Sequence, residues 1–181
     1  MIDRASLETL RLRLEPVDPS DAEEMWTATE SSLTELRPWM WWADQATARS
    51  TREFAEEAER LWDEGMGYHF VIRDGEDVAG GMSLEIHGAE RRLGEVGYWV
   101  RTDRAGRGYA TEAGEAVVDF AFATVGLYRL ELRASVGNVR SQRVAEKLGF
   151  RREGLLRQGC PHGRLGYDCY LYGLLVTDPR P

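Results

Sequence analysis

Apolar residues recur along this chain with two periods. Leu10, Leu12 and Leu14 alternate with Arg11 and Arg13, which predicts a half-buried strand over 8–15. Pro16 and Pro19 end it. Ser20 or Asp18 is placed to cap a helix with Ala22, Met25, Trp26 and Thr29 on its inner face. An aromatic loop, Leu36-Arg37-Pro38-Trp39-Met40-Trp41-Trp42-Ala43, leads to a second helix over 47–64. Phe54, Ala58, Leu61 and Trp62 form its inner face, its outer face is acidic, and Gly65 and Gly67 stop it. Strands follow at 68–73, 78–86 and 94–101, the first two joined by the hairpin signal Asp74-Gly75. A glycine-rich turn opens a helix over 106–124 that turns Ala113, Ala116, Val117, Phe120 and Ala121 inward. A strand at 127–136, a short helix at 139–148 ended by Gly149, and strands at 150–158 and 167–176 complete the chain.

The predicted order is β-α-α-β-β-β-α-β-α-β-β. Three strands joined by short turns must be antiparallel, whereas the strand–helix–strand unit after them is parallel and right-handed. The fold class is therefore α+β, with three layers around a mixed, mostly antiparallel sheet. No repeat, low-complexity tract or linker interrupts the pattern, so residues 1–181 are expected to form a single domain. A chain of that length buries roughly 70% of its unfolded surface.

Charge narrows the partners. With 23 basic and 31 acidic residues the net charge is −8, which disfavours a nucleic-acid backbone and favours a basic peptide or an amine. No apolar run approaches the ~20 residues of a membrane span, and Asp119 interrupts the best stretch, 116–125. Met1-Ile2-Asp3-Arg4 lacks a signal-peptide core. Cys160 and Cys169 make neither a disulfide framework nor a zinc-ligand set, so no metal is expected and the expected compartment is the cytosol. The last apolar stretch, 170–176, reads either as a central strand or as the edge of a homodimer.

The candidate chemistry begins at Arg104-Ala105-Gly106-Arg107-Gly108-Tyr109-Ala110-Thr111. Glycines let a backbone approach a ligand, and the first amides of a helix point outward at its positive end, which suits a phosphate. The turn lacks the Gly-Lys-Ser/Thr of a Walker loop and the third glycine of the dinucleotide fingerprint. Taken alone, it reads equally as a tight turn with glycines for packing.

Gly94-Glu95-Val96-Gly97-Tyr98-Trp99-Val100 followed by Gly106-Arg107-Gly108-Tyr109-Ala110-Thr111-Glu112-Ala113 resembles the acetyl-CoA motif of the GNAT N-acetyltransferase superfamily. Leu127-Tyr128-Arg129-Leu130-Glu131, Asn138-Val139-Arg140-Ser141 and Glu146-Lys147-Leu148-Gly149-Phe150 resemble its second cofactor motif. The wording is that of the RimJ/RimL-like branch, the ribosomal-protein N-terminal acetyltransferases. Arg37-Pro38-Trp39 and residues 168–175 fit that branch too, so the resemblance runs from about Leu10 to Asp178. It implies that strands 94–101 and 127–136 splay apart around the pantetheine arm of acetyl-CoA. Tyr98, Trp99 and Val100 would bond that arm, and the amides of Gly106, Arg107, Gly108, Tyr109, Ala110 and Thr111 would hold the pyrophosphate. The chain departs from the superfamily at Ala105, where Arg or Gln is common, at Trp41, where the family often shows proline, and at Ala145, where many members carry a tyrosine acid. Ser141 stands where alanine is usual.

Acetyl transfer to nitrogen needs a deprotonated amine, a polarised thioester carbonyl and a hydrogen bond or proton for the departing thiolate. It needs no metal. Glu95 is the candidate base, acting through one water; its alternative is a surface pair with Arg91, Arg92 or Arg133. Ser141 is the candidate donor to the thiolate; its alternatives are packing beside Val144, Ala145 and Leu148, or local capping. Asn138, the only asparagine, reads as a pantetheine contact and as a helix cap. Trp39 and Trp42, with Trp41, read as a wall of the acceptor pocket offering cation–π contact, or as a plug beneath the first helices. Asp168 holds the acceptor, or caps a turn. The acceptor is an amine, with the N-terminus of a basic protein preferred to a polyamine, amino acid or antibiotic. A non-catalytic acyl-CoA-binding module is the rival from another class, and the missing tyrosine is its support.

Overall fold

The computed structural model describes residues 2–88, 92–163 and 166–180. One sheet of eight strands runs through it in the order β1-β2-β3-β4-β5-β6-β8-β7. The strands are β1 Leu7–Glu8, β2 Arg13–Pro16, β3 Gly67–Asp74, β4 Asp77–His87, β5 Leu93–Val100, β6 Arg129–Ser135, β7 Arg151–Cys160 and β8 Tyr167–Leu175. All neighbours pair antiparallel except β5 and β6. The helices are α1 Ala22–Glu30, α2 Leu33–Leu36, α3 Ala48–Glu64, α4 Tyr109–Asp119 and α5 Val139–Lys147. The mixed α+β architecture agrees with the pattern in the sequence.

Alternation along the strands divides the core into two layers. Leu84, Val96, Leu130, Leu132 and Tyr172 pack with Ala113 and Val117 of α4 and Ala145 of α5. On the opposite face Val71 and Val78 pack with Met25 and Ala28 of α1 and Ala55 and Ala58 of α3. Each fully buried aliphatic side chain contributes about 1.5–3 kcal/mol against exposure, so the alternation fixes the register.

Four details differ from the pattern. The first strand is two short ones, with Leu7 paired to Leu14 and Glu8 to Arg13, and Leu10 stands at the turn 94% exposed. Alternation over so short a stretch does not reveal a reversal between Thr9 and Leu12. A short helix, α2, leads into the aromatic loop, and the loop carries a 3-10 turn, Trp41–Asp44. The inner stripe of α3 is Ala55, Ala58 and Trp62, while Phe54 is exposed and stands edge-on to His69, ring centres 5.2 Å apart. The helix predicted from Gly106 starts at Tyr109, because Gly106 and Gly108 take positive φ of 79° and 85°. It closes with a π turn, Phe120–Val125. The last strand, β8, lies between β6 and β7, so 170–176 is an interior strand rather than an edge. Among the described residues no helix is long and apolar enough to cross a membrane, and no His/Cys/Asp/Glu group is arranged for a metal.

Candidate active site

Two breaks in regular structure define the site. The first is the parting of β5 and β6. They pair only from Leu93 to Glu95 against Arg129 to Glu131. β4, in contrast, follows β5 as far as the Gly80–Val100 pair. From Val96 onward the side of β5 that faces β6 is therefore unpaired by that strand, and alternate residues of the stretch that holds Tyr98, Trp99 and Val100 turn backbone donors and acceptors to it.

The second break is the turn before α4. Gly108 caps the helix without a side chain, and a Cβ on Gly106 would meet nothing within 4 Å. The leading amides face this open space at the positive end of the helix. The Thr111 amide is the exception, turned back to the Gly108 carbonyl at 3.1 Å. The candidate cradle is Gly106, Arg107, Gly108, Tyr109 and Ala110, with the Thr111 amide already paired within the turn. Open space above Gly106, the Arg11 guanidinium 3.5 Å from where a Cβ on Gly108 would stand, and a free strand edge fit a pyrophosphate and a pantetheine arm.

The charge around the cradle is distributed in a way the motif does not show. Arg104 is spent on the β3–β4 hairpin, 3.0 Å from Asp74 and 2.6 Å from Asp77, and the Tyr109 hydroxyl donates to the same Asp74 at 2.8 Å. Arg107 donates to the Asp103 carbonyl at 3.3 Å. Arg11, from the turn between β1 and β2, comes to the helix head instead. Its Nε donates to Glu112 at 2.7 Å, its Nη1 donates to the Arg107 carbonyl at 3.0 Å, and its guanidinium lies 4.9 Å from the centre of the Tyr109 ring. Burial works against charge on Glu112, but the Thr9 hydroxyl and the Arg11 amide and guanidinium outweigh it and hold the carboxyl below its usual range. No sequence signal pointed to Arg11, which lies about a hundred residues from its partners.

On the α4–α5 side of the splay, the Tyr98 hydroxyl donates to Ser141 Oγ at 2.9 Å. The Ser141 amide donates to Asn138 Oδ1 at 3.1 Å, so Asn138 is the helix cap that was one of its two readings. Ala145, where a tyrosine was the familiar choice, is completely buried in the core. Burial pushes the Tyr98 phenol up to about 12, with the Ser141 hydrogen bond pulling the other way.

Glu95 lies on the opposite face. Its carboxylate is 3.5 Å from His87 Nε2 and 3.6 Å from Arg133, with Glu85 and Glu131 at the paired positions on either side. Burial pushes the Glu85 carboxyl up, with His87 opposing and Glu95 adding to the rise. Of the other pairing candidates, Arg91 lies outside the described residues, and Arg92 is drawn 5.7 Å over the Tyr128 ring. Beyond Glu95 two grooves meet at Asp168. One, of about 810 Å³, is lined by Arg133, Leu155 to Gly159 and Asp168. The other, of about 410 Å³, is lined by Pro38, Trp39, Ser135 to Gly137, Tyr167 and Asp168. Trp39 lies over Gly137, where a Cβ would be 3.5 Å from its ring. Trp42 packs edge-on against Trp99, ring centres 6.4 Å apart, and Trp41 is exposed. The structure therefore separates the three tryptophans: Trp39 lines a groove, Trp42 packs and Trp41 meets solvent. Asp168 accepts from the Gln158 amide at 2.9 Å and so pins the irregular end of β7, where Gln158 has a φ of 54°.

A family model described as the acetyltransferase (GNAT) domain matches residues 11–151. The chain belongs to the GNAT acetyltransferase family. It is an acetyl-CoA-dependent acyltransferase. This GNAT enzyme is 28% identical over 173 residues to the "Putative ribosomal N-acetyltransferase YdaF" of Bacillus subtilis, with 94% of this chain and 93% of YdaF covered. It superposes with a TM-score of 0.86 on RimJ of Mycobacterium smegmatis, solved with CoA-disulfide, at 27% identity over 96% of this chain and 88% of that one. It also shares the fold of RimL, a ribosomal L7/L12 α-N-protein acetyltransferase solved with coenzyme A. There the TM-score is 0.89 at 18% identity, over 95% of this chain and 98% of RimL.

For a GNAT enzyme the arrangement divides the chemistry by face. The α4–α5 side carries the phosphate cradle and the Tyr98–Ser141 pair. The other side carries Glu95 and the grooves. The sheet separates the group that would deprotonate an amine from the group that would assist the leaving sulfur, with the parted strands between them.

Proposed function

We propose that this GNAT enzyme acetylates the N-terminal α-amine of a protein, as a member of the RimJ/RimL-like branch. The observation that carries the proposal is the form of the acceptor side: grooves meeting at Asp168 and open along their length, rather than an enclosed pocket. An open groove accepts a chain, whereas a small amine needs surrounding walls for affinity. The net charge of −8 draws a basic N-terminal segment, and the names of YdaF and RimL point the same way.

Bound acetyl-CoA supplies an activated acyl carbon. On this reading the cradle and the open edge of β5 orient that donor. Trp39 and Asp168 guide the acceptor to the splay, Trp39 with its ring face and Asp168 by holding the shape of the β7–β8 hairpin. Glu95 accepts the ammonium proton through one water, which restores the nitrogen lone pair. Ser141 donates a hydrogen bond to the departing sulfur.

The test is CoA release from acetyl-CoA with a panel of acceptors. It includes basic peptides with free N-termini, the same peptides blocked at the α-amine, and polyamines, amino acids and aminoglycosides. Turnover confined to the free peptides is the expected result. Turnover confined to small amines overturns the acceptor assignment.

A further inference from the structure

Many superfamily members place a tyrosine on the helix equivalent to α5, but here that position is Ala145, completely buried in the core. A phenol nevertheless reaches the helix. It comes from the other side of the splay, on β5, and its oxygen lies 2.9 Å from Ser141 Oγ. We propose that Tyr98 is a positioning residue for Ser141: its hydroxyl fixes the serine hydroxyl so that the serine proton is aimed at the departing sulfur. The inference rests on the reading of Ser141 as the donor to that sulfur.

The geometry carries the argument. A serine hydroxyl has one proton and two lone pairs, and it rotates to suit its partners. The phenol is the stronger acid of the two hydroxyls and is the donor in this contact. One serine lone pair is thereby occupied, and the serine proton is directed away from Tyr98. Asn138 Oδ1 accepts from the Ser141 amide, which fixes the serine backbone at the head of α5. Burial holds the phenol protonated through the neutral range, so it keeps the proton that it donates. A donor chain of this kind polarises its terminal O–H. The expected cofactor contacts of Tyr98 involve its backbone and leave the hydroxyl available for this task. A phenol supplied by β5 thus offsets the loss of the one on α5, while the buried Ala145 keeps α5 close to the core.

The test is a double-mutant cycle in the full-length enzyme, read as kcat and as KM for acetyl-CoA. Tyr98→Phe removes one oxygen and keeps the ring. It should lower kcat about tenfold, the worth of one well-made hydrogen bond, with KM for acetyl-CoA and the melting temperature nearly unchanged. Ser141→Ala should lower kcat by at least as much. The double variant should be no slower than Ser141→Ala alone, because the phenol then has nothing to orient. Additive losses overturn the proposal, since they place Tyr98 in an independent role. A raised KM with unchanged kcat in Tyr98→Phe also overturns it and assigns the ring to cofactor packing. If Ser141→Ala is slow and Tyr98→Phe is fully active, the positioning role fails and the reading of Ser141 stands. If Ser141→Ala is fully active, the donor reading itself fails.

Discussion

The cradle at the head of α4 and the groove at Asp168 are built in opposite ways. The cradle is backbone: a run of consecutive residues, two of them glycines with positive φ, at the start of a helix. The groove is side chain: Trp39 meets the adjacent Tyr167 and Asp168 from a distant segment, at the end of β6 where β8 lies beside it. A backbone site tolerates side-chain change but not loss of its turn geometry. A side-chain site can be retuned residue by residue. That difference suits an enzyme with one fixed donor and an acceptor that varies among relatives.

The sharpest way to break the comparison is Gly108→Glu. Its φ of 85° disfavours any L side chain, and the new carboxylate would bring negative charge to the candidate phosphate cradle. CoA affinity should fall about a hundredfold or more, and calorimetry together with loss of the CoA-induced rise in melting temperature would record it. Undiminished binding would move the cofactor elsewhere.

Glu95→Gln probes the other face. At neutral pH turnover should fall roughly tenfold to a hundredfold, with acetyl-CoA affinity little changed. The loss should shrink as pH rises and the amine deprotonates in solution. A loss constant across the pH profile would assign Glu95 to positioning.

A third measurement asks whether the acceptor face is the acid-sensitive one. His69, on the same face as Glu85 and Glu95, is 4% exposed, and its Nε2 lies 3.3 Å from the Glu85 carboxylate without well-aligned hydrogen-bond geometry among the described residues. Burial pulls its imidazole down to about 4, with Glu57 pulling the other way. In the unfolded chain the same group takes a proton near pH 6.5, so the stability present above that value is lost as pH falls toward 4. Between pH 7 and 5 His69 should account for about 2 kcal/mol of lost unfolding free energy. Glu85, whose carboxyl burial raises, works in the opposite sense and trims the loss. Urea unfolding of the native protein and His69→Gln at both pH values checks this. An equal pH dependence in the two proteins would exclude His69 as the source.

The smallest expected effect sharpens the comparison most directly. Trp39→Ala should raise KM for a peptide acceptor about fivefold, the scale of one exposed cation–π contact, and leave KM for acetyl-CoA alone. Steady-state kinetics with each substrate varied in turn separates the two.

Sequence alone determined what depends on neighbours along the chain. Alternation at Leu130, Leu132 and Ala134, the cap at Asn138 and the glycines at 106 and 108 are local, and local sterics and hydrogen bonding fix them. The turn before α4 and the start of α5 were legible for that reason. Tertiary structure decided what depends on strand order and on reversals too short to leave a period. Only the fold shows the turn that leaves Leu10 in solvent and carries Arg11 to Glu112. It also brings the Tyr98 hydroxyl to Ser141 and separates Trp39 from Trp42. Those contacts join residues tens of positions apart, and no local preference encodes which distant partner a side chain will meet. The burial of the whole sheet sets them at once.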